Sequence, residues 1–248
     1  MKSYLSVVIP AYNEEYNLRT GVLDSVYDYL SGQSYTWEIL FVDDASTDNT
    51  ASLAESFAGK HKNFTVLKEP HRGKAGTVTA GVLKAKGGII LFTDTDQATP
   101  IDQIEKVLPK FKAGYDVVIG SRHGREGAPL IRKIMAYGFS LLRLLVLRLP
   151  YKDTQCGFKA FSSRAADEIF KRLEIFSSKN RSEGASVTAG FDLEILYIAR
   201  KLKYKVAEVP VDWHHKEGTK VDPIKDSIEG LRGLLMVRLN SLQGKYKV

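Results

Sequence analysis

The 248-residue chain has one cysteine, Cys156, which excludes an intrachain disulfide and any metal site built from two thiolates of one chain. A bound metal would therefore take oxygen or histidine ligands. There is no long uncharged apolar run. Arg143 and Arg148 interrupt the most hydrophobic segment, and no stretch approaches the roughly 20 residues of a membrane-spanning helix. Met1 to Pro10 enters a strand pattern almost at once, without the charged and apolar regions of a secretory signal. The expectation is a cytoplasmic protein, soluble or lying peripherally on a membrane. No Gly-x-Gly-x-x-Gly follows the first strand and no Walker lysine motif occurs, which removes the usual dinucleotide and P-loop cradles. Acids are fewer than bases, 29 against 36, and the formal charge of +7 points to an anionic partner: phosphorylated substrate, anionic lipid or nucleic acid.

What is present is an alternation of strand and helix patterns. Ser6–Pro10 reads as a buried strand, with Asn13 capping a helix that runs to about Leu30. Trp37–Val42 is a second strand, and Asp43–Asp48 turns the chain into a helix ending at Phe57. Phe64–Leu67, a helix over Lys74–Lys86 and the apolar run Gly88–Phe92 follow, then Asp116–Arg122, a further strand with a polar exit. The fold class is α/β in one domain, a mostly parallel Rossmann-like sheet flanked by helices. In such sheets ligands sit outside the carboxyl ends of the strands. Pro10-Ala11-Tyr12, Asp43-Asp44 and Asp94-Thr95-Asp96 all fall there.

Asp94 and Asp96 close the fourth strand one residue apart. Left unneutralised they would repel, so a hard divalent cation shared with substrate phosphates explains them economically. The competing explanation makes Asp96 the N-cap of a helix opening near Pro100.

Four segments in register carry a resemblance: Val8 to Glu14, Val42 to Asp48, Gly73-Lys74-Ala75-Gly76 and Asp94-Thr95-Asp96. They resemble the nucleotide-sugar domain of family-2 inverting glycosyltransferases of the GT-A fold. Asp153 to Lys159, Phe191 to Ala199, Glu208 to Trp213 and Gly218-Thr219-Lys220 resemble the subgroup that glycosylates polyprenyl phosphates, the dolichyl-phosphate β-glucosyl branch rather than the mannosyl one. The resemblance implies that Pro10, Ala11, Tyr12, Glu14, Asp43, Asp44, Lys74, Asp94, Thr95 and Asp96 hold a UDP-hexose. It implies Mg²⁺ or Mn²⁺ at Asp94 and Asp96, with Gln97, where these enzymes carry a small residue, as a third candidate ligand. Residues 1–121 would form the nucleotide-sugar half and 122–248 an acceptor half with a C-terminal helical extension. The Gln-x-x-Arg-Trp motif of processive synthases is absent.

A phosphate acceptor is already anionic and needs cations rather than a base. Arg122 and Arg132 are the leading candidates, with Lys159 and Gln155 beside them. A hydroxyl acceptor, as in cell-wall or surface glycan synthesis, would need a base, and Asp192 is its candidate; the alternative has Asp192 capping a helix through Leu202. Leu130–Leu149 carries Arg132, Lys133, Arg143 and Arg148 but no acid, and fits either a core helix with solvent-facing arginines or an interfacial helix on anionic lipid. Ser177–Ala189 reads as a mobile loop. His214 and His215 are adjacent and need not converge on a metal, and Cys156 reads as packed. A noncatalytic nucleic-acid-binding protein is the reading from another class, suggested by charge alone. Against it, the cations do not interleave with an aromatic platform and the crevice is acidic, so no nucleic acid is expected.

Overall fold

The structure, a computed structural model, describes residues 3–122, 130–174, 189–214 and 223–246, with the side chains of 130–136, 189 and 223–227 left aside. The elements run β1 (Leu5–Ala11), α1 (Glu15–Arg19), α2 (Val22–Ser31), β2 (Trp37–Asp43), α3 (Thr50–Ala58), β3 (Phe64–Lys68), α4 (Gly73–Lys84) and β4 (Ile89–Phe92). A short 3-10 turn (Ile101–Gln103) leads into α5 (Ile104–Lys112), β5 (Val117–Arg122), α6 (Leu130–Leu147), β6 (Lys159–Ser162), α7 (Ser163–Phe170), α8 (Ala189–Lys201), β7 (Val206–Val211) and α9 (Pro223–Leu242).

The described strands form one sheet in the order β3-β2-β1-β4-β6-β5-β7. β1 to β4 pair in parallel, β5 pairs β7 in parallel, and β6 lies antiparallel between β4 and β5. The expected mostly parallel sheet is therefore observed, with one reversed strand that the pattern of Asp153–Lys159 did not reveal. β6 is only four residues long and opens on a lysine, which masks it among loop residues.

Alternation along the buried strands divides the core into two layers. Val8, Leu40, Val42 and Phe92 meet α4, α7, α8 and α9, whereas Val7, Ile9, Ile39 and Leu91 meet α2 and α5. α4 lies so close to the sheet that a Cβ on Gly81 would stand 2.4 Å from Val8 Cγ1 and 2.8 Å from Val42 Cγ2. That approach presses the N-terminus of α4, with Lys74, toward the strand ends.

The helix expected over 13–30 is two helices. Gly21, at φ +80°, adopts the left-handed backbone that L side chains avoid, and the chain turns between α1 and α2. Asn13 does not cap α1. It sits at φ +54°, and its Oδ1 accepts from the backbone N of Thr47 at 2.8 Å, tying the loop after β1 to the loop after β2. α8 opens at Ala189, so Asp192 stands inside the first turn rather than at the cap. Asp96 accepts from the backbone N of Ala98 at 2.9 Å, whereas Pro100 precedes the 3-10 turn, so Asp96 closes its own turn and caps no helix. Most of the segment 177–189 lies outside the described residues.

Candidate active site

The carboxyl ends of β1, β2 and β4 meet as the sheet order requires. Thr95 is buried and donates its hydroxyl to Pro10 O at 2.7 Å, and Asp44 N donates to Ala11 O at 2.9 Å. The middle residue of the Asp94-Thr95-Asp96 run thus pins β4 to β1 and sets the two flanking acids. Asp43 is buried with Oδ2 accepting from Ser46 N at 3.2 Å, while Oδ1 has no partner among the described residues. A buried carboxylate oxygen left open carries a desolvation penalty that a donor from a ligand would relieve.

Asp44, also expected to hold nucleotide sugar, turns the other way. Its carboxylate accepts from Arg72 N at 2.8 Å and Gly73 N at 2.9 Å and pairs with His71 Nδ1 at 2.8 Å. An anion on the first amides of α4 satisfies donors the helix leaves open and complements its dipole. Asp44 therefore anchors α4. The imidazole of His71 stacks on Tyr12, centroids 4.3 Å apart, giving a flat aromatic pair just past β1.

Lys74, in the first turn of α4, forms an ion pair with Asp94 Oδ1. Burial works against both charges. The Lys74 pKa is nevertheless raised by Asp94, Asp192 and Asp96, and that of Asp94 is lowered by Lys74, Lys159 and Arg122. The opposite oxygen of Asp94 abuts Gly157, where a Cβ would lie 1.9 Å from Oδ2. Glu14 is raised above the usual carboxylate range, first by burial and then by the charges of Asp96, Asp94 and Asp48. Gln97 stands at φ +49°; its amide donates to Asp94 O at 2.9 Å, leaving Oε1 buried without a partner among the described residues.

These residues suit a hard cation. Asp94 and Asp96 offer carboxylate oxygens, Gln97 a free carbonyl oxygen, and the acids around Glu14 leave surplus negative charge at the crevice mouth. Among the described residues, no group of three or more His, Cys, Asp and Glu is placed to hold a metal by protein alone. A substrate oxygen would complete the set. His214 takes no part in such a group, and His215 lies outside the described residues.

The second half contributes cations in unexpected roles. Lys159 has no exposed surface: its ammonium contacts Cys156 O, pairs with Asp192 at 2.6 Å and lies 5.5 Å from the Phe92 ring centroid. It stands behind Asp192, not open to an acceptor as the motif led one to expect. Its position on β6, between two strands, buries it. Arg122 makes a two-pronged pair with Asp153, Nε to Oδ2 at 2.6 Å and Nη2 to Oδ1 at 3.0 Å, and lies 5.9 Å from Trp213. The guanidinium has further donors beyond these two. Gln155 is exposed, its backbone N donating to Asp153 Oδ1 at 3.1 Å. The Arg132 side chain lies outside those described.

Sequence reasoning gave no role to Asp153, Gly157 or His71. Asp153 and Gly157 stand in the quoted run Asp153 to Lys159, but their partners, Arg122 and Asp94, are remote in the chain. Glu208 holds that run by accepting from Lys152 N at 2.9 Å and Asp153 N at 2.7 Å. Cys156 is packed, as expected, and burial pushes its thiol pKa up.

A mixed sheet in this order, with an acidic pair at the exit of β4 facing an ammonium from α4, matches the Rossmann-like GT-A fold. The family model of glycosyl transferase family 2 matches residues 6–170, and the chain belongs to that family. It is a glycosyltransferase of the GT-A fold, which sets aside the noncatalytic nucleic-acid reading. It is 35% identical to a dolichyl-phosphate β-glucosyltransferase of Dictyostelium discoideum, over 99% of this chain and 77% of that one. The Saccharomyces cerevisiae and human dolichyl-phosphate β-glucosyltransferases are 33% and 31% identical over 98% of this chain, and 77% and 78% of theirs. Among solved structures, mannosyl-3-phosphoglycerate synthase of Rubrobacter xylanophilus superposes with a TM-score of 0.69 at 18% identity, covering 98% of this chain and 76% of that one. Glucosyl-3-phosphoglycerate synthase of Mycobacterium tuberculosis, solved with Mn²⁺, UDP and glucosyl-3-phosphoglycerate, superposes at 0.63 with 19% identity, over 95% and 80% of the two chains.

Proposed function

We propose that the chain transfers glucose, with inversion, from UDP-glucose to a polyprenyl phosphate of the dolichyl type, at the cytoplasmic face of a membrane to which it is attached peripherally. The observation that carries this reading is the crevice itself, where Asp94, Asp96 and Asp192 alternate with Lys74, Lys159 and Arg122. The likeness to dolichyl-phosphate β-glucosyltransferases over nearly the whole chain supports the acceptor and the sugar.

In this reading Asp43 takes a donor from the base through its open Oδ1, beside the Tyr12–His71 stack. Asp94 and Asp96, with Gln97 at hand, would hold Mg²⁺ or Mn²⁺, which would supply positive charge to a diphosphate leaving group. Lys74 releases Asp94 and turns to the diphosphate, a short swing for an ammonium already at the site. Arg122, kept in place by Asp153, presents remaining donors to the acceptor phosphate. Arg132, whose side chain lies outside those described, is retained from the sequence as the second acceptor-phosphate residue. Asp192 orders Lys159 and shapes the crevice. No base is required, because the phosphate nucleophile is anionic at neutral pH.

The test is transfer of label from radiolabelled UDP-glucose to polyprenyl phosphate, scored in the organic phase. Wild type transfers label, and Asp96→Asn loses metal-dependent donor binding in calorimetry together with turnover. Unchanged donor affinity and turnover in Asp96→Asn would overturn the metal assignment. Arg122→Ala should raise the acceptor KM or lower kcat about 10- to 150-fold with donor binding kept, since a charge-assisted contact contributes about 1.5–3 kcal/mol. A hydroxyl acceptor would reverse the order: Asp192→Asn would then lose on the order of 10²–10⁴ in rate.

A further inference from the structure

α9 carries apolar side chains on two faces, one turned to the fold and one turned away from it. Gly230, Leu234 and Val237 are buried against the rest of the fold. A second stripe faces outward: Ile228, Leu231, Leu235, Leu239 and Leu242 are 62, 39, 57, 54 and 68% exposed. At about 100° per residue these five fall within roughly one quarter of the helix circumference. Arg232 and Arg238, both exposed, flank the stripe on either side. Among the side chains described for α9, Glu229 is the only acid.

α6 packs against α9 through Phe139, whose ring atom Cε2 would lie 3.2 Å from a Cβ on Gly230. It exposes Tyr137, Leu141, Leu142, Leu144 and Leu145, and Arg148 follows on the surface. Eleven of the fifteen large hydrophobic side chains exposed among the described residues belong to these two helices. Scattered exposed leucines need no explanation, but this concentration marks an interaction surface.

We propose that α9, with α6 beside it, is the docking surface for an anionic lipid bilayer: its leucine stripe enters the acyl boundary and Arg232 and Arg238 meet headgroup phosphates. Arginines on both flanks of an apolar stripe match a bilayer, which offers anions all round a hydrocarbon interior. A second copy of the chain is a poorer occupant, because facing stripes would bring arginine rows toward one another. The inference rests on the proposed polyprenyl-phosphate acceptor for its use, since a docked enzyme meets its acceptor in the plane of the membrane. No helix of the described residues is long and apolar enough to cross it.

The experiment is sedimentation of the full chain with vesicles of phosphatidylcholine, with and without phosphatidylglycerol. It is paired with transfer assays on vesicle-embedded acceptor and on a short-chain polyprenyl phosphate in detergent. Wild type should co-sediment with the anionic vesicles and release with salt. Leu235→Glu/Leu239→Glu, folded by circular dichroism, should lose about tenfold or more of the partition and activity on embedded acceptor, while detergent activity persists. Arg232→Ser/Arg238→Ser should lose the preference for anionic vesicles. Absence of co-sedimentation by wild type, or undiminished binding of the leucine variant, overturns the proposal. So does a wild-type dimer that the leucine variant dissolves with vesicle binding unchanged. Vesicle binding without transfer in either assay would instead overturn the acceptor reading and leave the docking surface standing.

Discussion

Gly157 shows how one missing methyl sets a carboxylate. Because a Cβ there would stand 1.9 Å from Asp94 Oδ2, Gly157→Ala must drive Asp94 from its place against Lys74. A displacement near 1 Å in a catalytic group can cost on the order of 10²-fold in rate. Steady-state kinetics should show that loss with a melting temperature close to wild type, since the strain falls on one partly buried side chain that can shift toward the crevice. Arg143 shows the reverse, a charge that pattern puts at the surface and packing puts inside. It is buried, donating to Tyr151 O, to Ser140 Oγ at 2.9 Å and to Thr154 Oγ1 at 3.3 Å, and burial lowers its pKa. It meets neither solvent nor headgroups. Arg143→Met should destabilise the fold by about 1.5–3 kcal/mol in urea titration, by stripping a charged donor from buried acceptors. Vesicle binding should be unaffected while the chain remains folded.

At the scale of elements, α4 decides the site because it carries Lys74 at its start and lies on β1 and β2 along its length. Gly81 permits that contact. Gly81→Ala should cost about 1–3 kcal/mol from overpacking, read as a lower melting temperature. It should also weaken donor binding, because lifting α4 moves both Lys74 and the amides held by Asp44. β6 is the other decisive element. Its antiparallel insertion places Lys159 beside Phe92 at the end of β4, and so places a buried cation behind Asp192.

For the whole molecule, the half after β5 is joined to the sheet partly by charge. Asp153, against the opposing effect of burial, is held below its ordinary carboxylate value of 3.8 by Arg122. A depressed carboxylate contributes stability that is present above that ordinary value and is lost as pH falls through the folded one. The Arg122 guanidinium is pushed further up by Asp153, again against burial, so its contribution is intact throughout the neutral range. Melting temperature should therefore drop as pH falls below about 4, more steeply in wild type than in Asp153→Asn, whose neutral partner no longer titrates. Equal slopes would remove the pair from the acid limb.

The sequence by itself determined the alternation of strands and helices, the collection of acids at strand ends and the family, because burial periodicity and strand-exit acids are local properties readable within a few residues. The same local view read one helix where Gly21 breaks the chain, gave Asn13 the cap its residue type favours, and kept a cap at Asp96 as the alternative to metal. Only the tertiary structure decided which charges meet: Arg122 with Asp153, Lys159 with Asp192, Lys74 with Asp94, and Arg143 with carbonyl and hydroxyl oxygens. It also decided that α9 turns leucines outward. A cation at a strand end reads the same whether it faces a crevice or a neighbouring strand, and a leucine stripe reads the same inward or outward. The choice depends on what the rest of the chain packs against it, and that is fixed only when distant segments close on one another.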